Sequence, residues 1–99
     1  MNMQNLMAQA QKLQKEIKAK QAEIDATIFE GKSEWVLVTM NGKREIQSIN
    51  IKKDLLNDED DLEMLEDMIK IAFNDALNKI EEEIQSKMGM YGDGLAGMM

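Results

Sequence analysis

The chain has 99 residues, 12 basic against 19 acidic, a formal net charge of −7, and no histidine, cysteine or proline. That size makes one domain with a small core. Without cysteine there is no disulfide framework and no cue for an oxidising compartment. Without histidine and cysteine the chain lacks the commonest general base, the thiolate nucleophile and the best metal ligands. Its serines are Ser33, Ser48 and Ser86, with no base to activate them. The expectation is a non-enzyme with no cofactor, no metal and no small-molecule substrate. No run of 18 apolar residues exists, so no membrane-spanning helix is expected, and the chain reads as soluble and cytoplasmic.

Charge is uneven along the chain. Residues 1–56 hold nine Lys/Arg and seven Asp/Glu, a net of +2, and residues 57–99 hold three and twelve, a net of −9. A chain this acidic is a poor general binder of phosphate, so contact with nucleic acid requires a basic surface held away from the acidic half.

The first predicted element is a helix over residues 3–25, where Met3, Leu6, Ala10, Leu13, Ile17 and Ile24 recur at helical spacing. Its lysines Lys12, Lys15 and Lys18 lie on the face opposite that stripe, at 100° per residue. Residues 27–30 form a short strand candidate, followed by a loop at 31–34. Residues 35–40 alternate as a strand, and Asn41-Gly42 signals a two-residue type I′ turn into a return strand at 44–51. That register sets Met40 opposite Lys43 and Leu37 opposite Ile46. One sheet face then holds Val36, Val38, Met40, Ile49 and Ile51, and the other holds Trp35, Leu37 and Ile46. The second face is too apolar to stand in solvent, so Trp35, Leu37 and Ile46 are the expected dimer interface.

Residues 54–61 form a turn, with Asn57 or Asp58 capping a second helix that runs to about residue 88. Asp58, Asp60 and Asp61 echo the start of a calcium loop, but the glycine and distal glutamate of such a loop are missing, so capping is the expected role. Leu62, Leu65, Ile69, Phe73, Ala76, Ile80 and Ile84 give this helix its stripe. Each helix would run roughly 33–40 Å at ~1.5 Å per residue, whereas a six-residue strand covers only ~20 Å. The surplus must pack as a helical arm or against a second copy. Residues 89–99 hold four of the six glycines and read as a flexible tail behind a domain at 1–88.

Four segments together resemble the YbaB/EbfC family of nucleoid-associated proteins: MNMQNLMAQAQKLQKEI at 1–17, LVTMNG at 37–42 with the isoleucine-rich strand to 51, DLL at 54–56 leading to LEMLEDMI at 62–69, and FNDAL at 73–77 before the Gly/Met tail. The resemblance spans essentially the whole chain. Two departures stand out: Lys32-Ser33-Glu34-Trp35 and Leu37 replace a glycine-rich loop and a strand lysine, and Asn57-Asp58 replaces a proline at the entry to the second helix. The resemblance implies an α+β, α-β-β-β-α protomer in a tweezer-like homodimer. It also implies binding of double-stranded DNA with low or modest sequence preference, in the bacterial nucleoid, with effects on nucleoid organisation and gene expression.

If the two helices pair antiparallel with their free ends together, the start of the first and the end of the second form an arm tip. The DNA-binding set expected on that basis is Gln4, Asn5, Lys12, Lys15, Lys18 and Lys87. A homodimeric interaction or adaptor module without DNA binding stays open as the alternative, since the apolar sheet face, the methionine tail and the acidic helix all permit it.

Overall fold

The computed structural model describes residues 2–89. The elements are α1 (Met3–Ala26), β1 (Phe29–Lys32), β2 (Val36–Met40), β3 (Ile46–Ile51), a 3-10 turn at Lys53–Leu55 and α2 (Glu59–Met88). The architecture is α+β in the α-β-β-β-α order expected. Of the expected tail, residues 90–99 lie outside the described residues.

The caps set the helix limits. The Asn2 side chain accepts a hydrogen bond from the Gln4 N–H at 3.0 Å and starts α1. At the other end the Thr27 N–H donates to Ile24 O, and Thr27 Oγ1 donates to Glu23 O at 2.7 Å. Thr27 therefore closes the helix instead of opening β1, which begins at Phe29. A capping box starts α2: Asp58 Oδ1 accepts from the Asp61 N–H at 3.2 Å, and Asp61 Oδ2 accepts from the Asp58 N–H at 3.0 Å. Asp61 also accepts from the Asn57 N–H at 2.7 Å. These carboxylates are spent on orphan backbone donors at the positive end of the helix dipole.

The sheet is antiparallel in the order β1-β2-β3. Along β2, Val36, Val38 and Met40 are buried and Leu37 and Thr39 are half-buried, the alternation the sequence predicts. The second hairpin departs from the type I′ expectation. Arg44 N–H donates to Asn41 O and Asn41 N–H donates to Glu45 O, both at 3.0 Å. Arg44 carries the positive φ, at 67°. This is a three-residue loop ending in a left-handed residue, the commonest alternative to a two-residue turn. Asn41 stabilises it by accepting from the Lys43 and Glu45 N–H groups on Oδ1 at 2.9 and 3.0 Å. The longer loop and a bulge near Met40 shift the register: Met40 faces Ile46, Val38 faces Ile49, Val36 faces Ile51 and Leu37 faces Asn50.

Gly42 meets a different demand from the one its turn motif suggested. A β-carbon there would overlap the Ile24 carbonyl at the end of α1. Gly31 plays the same part in β1, where a β-carbon would overlap the Ala72 carbonyl and lie 2.7 Å from the Ala76 side chain. The backbones of β1 and α2 approach closely because both contribute almost no side chain. Around that seam sit Ile24, Phe29, Val36, Val38, Met40, Ala72, Ala76, Ile80, Ile84 and Met88. Two polar clamps flank it: the Lys32 N–H donates to Asp75 Oδ2 at 2.9 Å, and Lys79 Nζ donates to Glu30 O at 2.7 Å.

The described chain measures 72 × 20 × 15 Å. α2 packs on β1 and β2, and its last turns meet the second half of α1. Ile24 is fully buried and Ile17 packs at the margin of the core, but residues 3–16 of α1 are exposed throughout. Those fourteen residues protrude by roughly 21 Å at ~1.5 Å per residue.

Candidate nucleic-acid interface

The protruding half of α1 carries a basic surface. Residues 3–15 contain no acidic side chain, and the first turn has none. Lys12, Lys15 and Lys18 are exposed on the face away from Ile17 and Ile24, with Gln4 and Asn5 exposed nearer the tip. The structure brings these five residues onto one helix. The tip is also dressed for anions by its dipole, although Asn2 already takes the Gln4 N–H.

Lys87 does not join them. Its Nζ donates to Glu23 Oε1 at 2.8 Å and lies 3.5 Å from Glu83 Oε1. The hydrogen bond from Lys87 holds the Glu23 carboxyl below the usual glutamate range, and Glu23 in turn raises the Lys87 ammonium. Glu23 is eighteen residues from Asn5, about 27 Å along the helix. The last turn of α2 meets α1 at Glu23, near the end of that helix that joins the body, so among the described residues the tip is formed by α1. The expectation that both helices end together fails because α1 overhangs.

Trp35, Leu37 and Ile46 do not share one face. The bulge puts Ile46 opposite Met40, on the side of the sheet that carries the core, while Leu37 aligns with Lys32 and Asn50 on the other side. Ile46 and its neighbour Ile49 are 50% and 49% exposed because α2 lies over the other two strands. Leu62, on the core-facing stripe of α2, is 54% exposed. Ile49 and Leu62 were readable as core candidates from alternation and period. That they would remain half-open follows only from where α2 sits.

A pair of long helices around a small antiparallel sheet, with one helix extended as an arm whose outer residues 3–15 carry lysines and no acid, is the architecture of a nucleic-acid-binding scaffold. Residues 1–95 match the model of the YbaB/EbfC DNA-binding family. A nucleoid-associated protein of Ligilactobacillus salivarius strain UCC118 is 42% identical over 100 residues, covering 99% of this chain and 95% of the relative. One of Lactococcus lactis subsp. cremoris strain MG1363 is 47% identical over 97 residues, covering 96% and 97%. One of Streptococcus suis strain 05ZYH33 is 46% identical over 97 residues with the same coverage. The chain belongs to the YbaB/EbfC DNA-binding family.

Proposed function

We infer that the protein is a nucleoid-associated DNA-binding protein that engages double-stranded DNA through the α1 arm, with low or modest sequence preference. The observation that carries this reading is the exposed, acid-free half of α1 on a chain of net charge −7. Lys12, Lys15 and Lys18 would neutralise phosphates, and the Gln4 and Asn5 amides would donate to phosphate oxygens, contacts that position a protein without reading bases. The acidic remainder repels a duplex, which confines contact to the arm and makes it salt-sensitive. Such binding suits a role in organising the nucleoid and modulating expression.

The same reading includes a homodimer. Ile46 and Ile49 on the core-facing side of β3 are the half-exposed apolar side chains that need a cover, in place of the Trp35–Leu37–Ile46 set read from the sequence. Two protomers joined there would present two α1 arms, and paired arms multiply weak phosphate contacts through effective concentration.

The test is a salt titration of duplex binding by wild type and by the K12E/K15E/K18E triple variant. Wild type should lose affinity with a log–log slope of about −0.9 per phosphate neutralised. The variant should weaken all duplex sequences equally. A folded, dimeric variant with the wild-type slope would remove these lysines from the interface. A wild type that fails to bind duplex even at low salt would remove the arm reading altogether.

A further inference from the structure

The side of the sheet away from α2 carries a second surface with its own chemistry. On it, Lys32 of β1, Leu37 of β2 and Asn50 of β3 form one cross-strand row. Just beyond the strand ends, Trp35, in the bend before β2, and Lys52, after β3, are joined by the hydrogen bond from the Lys52 N–H to Trp35 O at 2.9 Å, and the half-buried Trp35 also packs against the core. These residues and Ser33 line an open cavity of about 340 Å³. No acidic side chain lines it. Ser33 Oγ is buried there without a hydrogen-bond partner among the described residues, and an unsatisfied buried hydroxyl costs free energy until a ligand or water meets it. Asp75, on α2, is already occupied by the Lys32 N–H and by Lys79.

The spacing is that of a stacking platform. The Lys32 backbone lies opposite Leu37 on one side and the Lys52 backbone opposite Trp35 on the other, at the strand spacing of about 4.8 Å. An apolar aromatic centre with a cation on each side matches a planar base between two phosphates. A duplex hides its base faces in the stack, so it cannot use the indole. An unpaired strand can, because base–aromatic stacking is available to every base.

We propose that this cavity binds single-stranded nucleic acid, with one base stacked on the exposed part of Trp35, flanking phosphates on Lys32 and Lys52, and the Asn50 amide supplying a hydrogen bond to the same nucleotide. The ligand class rests on the family-level DNA-binding reading, but the surface is separate from the α1 arm. The site would let the protein hold locally opened DNA while its arms hold duplex.

Trp35 is the only tryptophan, so its emission reports the site directly. The full-length chain is titrated with a short oligothymidylate, with thymidine monophosphate and, by anisotropy of an end label, with a duplex. The oligothymidylate should quench Trp35 saturably, with a log–log salt slope of about −1.4, from two phosphates at ~0.7 each. The exposed-site variant K32E/K52E should lose roughly tenfold or more in oligothymidylate affinity and keep its duplex affinity. Trp35→Leu, read by anisotropy, should lose roughly fivefold or more. Absence of quenching, quenching that survives K32E/K52E, or equal quenching by the monophosphate would overturn the proposal, the last making this a free-nucleotide site. Quenching without duplex binding would instead sink the arm reading and leave this one standing.

Discussion

Gly31→Ala isolates the close approach on which the fold depends. Gly31 has an ordinary strand backbone, so the substitution introduces no strain in φ; it introduces only one carbon. That carbon would overlap the Ala72 carbonyl oxygen and sit 2.7 Å from both the Ala76 amide nitrogen and its β-carbon. Two of the three obstacles are backbone atoms inside α2 and cannot rotate away. β1 must lift from the helix, which also stretches the Lys32–Asp75 and Lys79–Glu30 clamps. Overpacking a core by one carbon costs about 1–3 kcal/mol, and rigid neighbours put this site at the upper end. At about 4–8 °C per kcal/mol for a domain of this size, the melting temperature should fall by roughly 10–20 °C, measured by circular dichroism at fixed protein concentration. Gly89→Ala is the control, since its nearest foreign atom is the Gln85 side-chain oxygen at 3.8 Å. A Gly31→Ala protein that melts with wild type would refute the reasoning, because the two backbones would then have room between them.

Ile46→Lys with Ile49→Lys should convert the protein to monomer in sedimentation, since each half-exposed isoleucine forfeits about 1 kcal/mol of further burial per protomer and gains a charge there; an unchanged dimer would move the interface elsewhere. Lys87→Met should leave duplex affinity at wild-type level in an anisotropy titration, because that ammonium is engaged by Glu23 and Glu83 at the body end of α1. Asp75 is held below the usual aspartate range, first by the Lys32 N–H and then by Lys79, and Glu23 is lowered by Lys87. The unfolded chain therefore binds more protons than the folded one through the acid range, so stability rises with pH there and is lost as pH falls through the lowered folded values. Asp75→Asn should flatten that limb in a series of denaturant melts across acid pH, and an unchanged limb would assign it to other carboxylates.

The helices were legible because period and capping are local. Leu13, Ile17 and Ile24 follow from a 3.6-residue repeat, and Asn57 or Asp58 reads as the cap of the second helix. The order of elements followed in the same way. The second hairpin was not legible, because Asn41-Gly42 satisfies two demands that look alike in sequence. A type I′ turn wants positive φ at both residues, and close packing against Ile24 wants only a missing β-carbon. The second demand prevails, Arg44 takes the positive φ, and its guanidinium reaches Glu81 on α2 at 3.3 Å. One added loop residue and a bulge then moved Ile46 to the opposite side of the sheet, since strand side chains alternate with a period of two.

The basic arm was legible as a stripe on one helix but not as a position in space. Angular arithmetic places Lys12, Lys15 and Lys18 together, yet nothing in it says how far along α1 the second helix will reach. That distance is set by the Gly31–Ala72–Ala76 seam, which fixes α2 along the sheet, and by the length remaining after it, which ends beside Glu23. Lys87 is consequently drawn into an ion pair and the outer fourteen residues of α1 are left bare. A contact between two glycine- and alanine-lined backbones thus decides how far the lysines stand from the acidic body. With a screening length of about 8 Å at physiological salt, Lys12 and Lys15, roughly 16 and 12 Å along the helix from Glu23 at ~1.5 Å per residue, stand beyond one screening length from it, enough for this stretch of α1 to act as a local cation on an anionic protein.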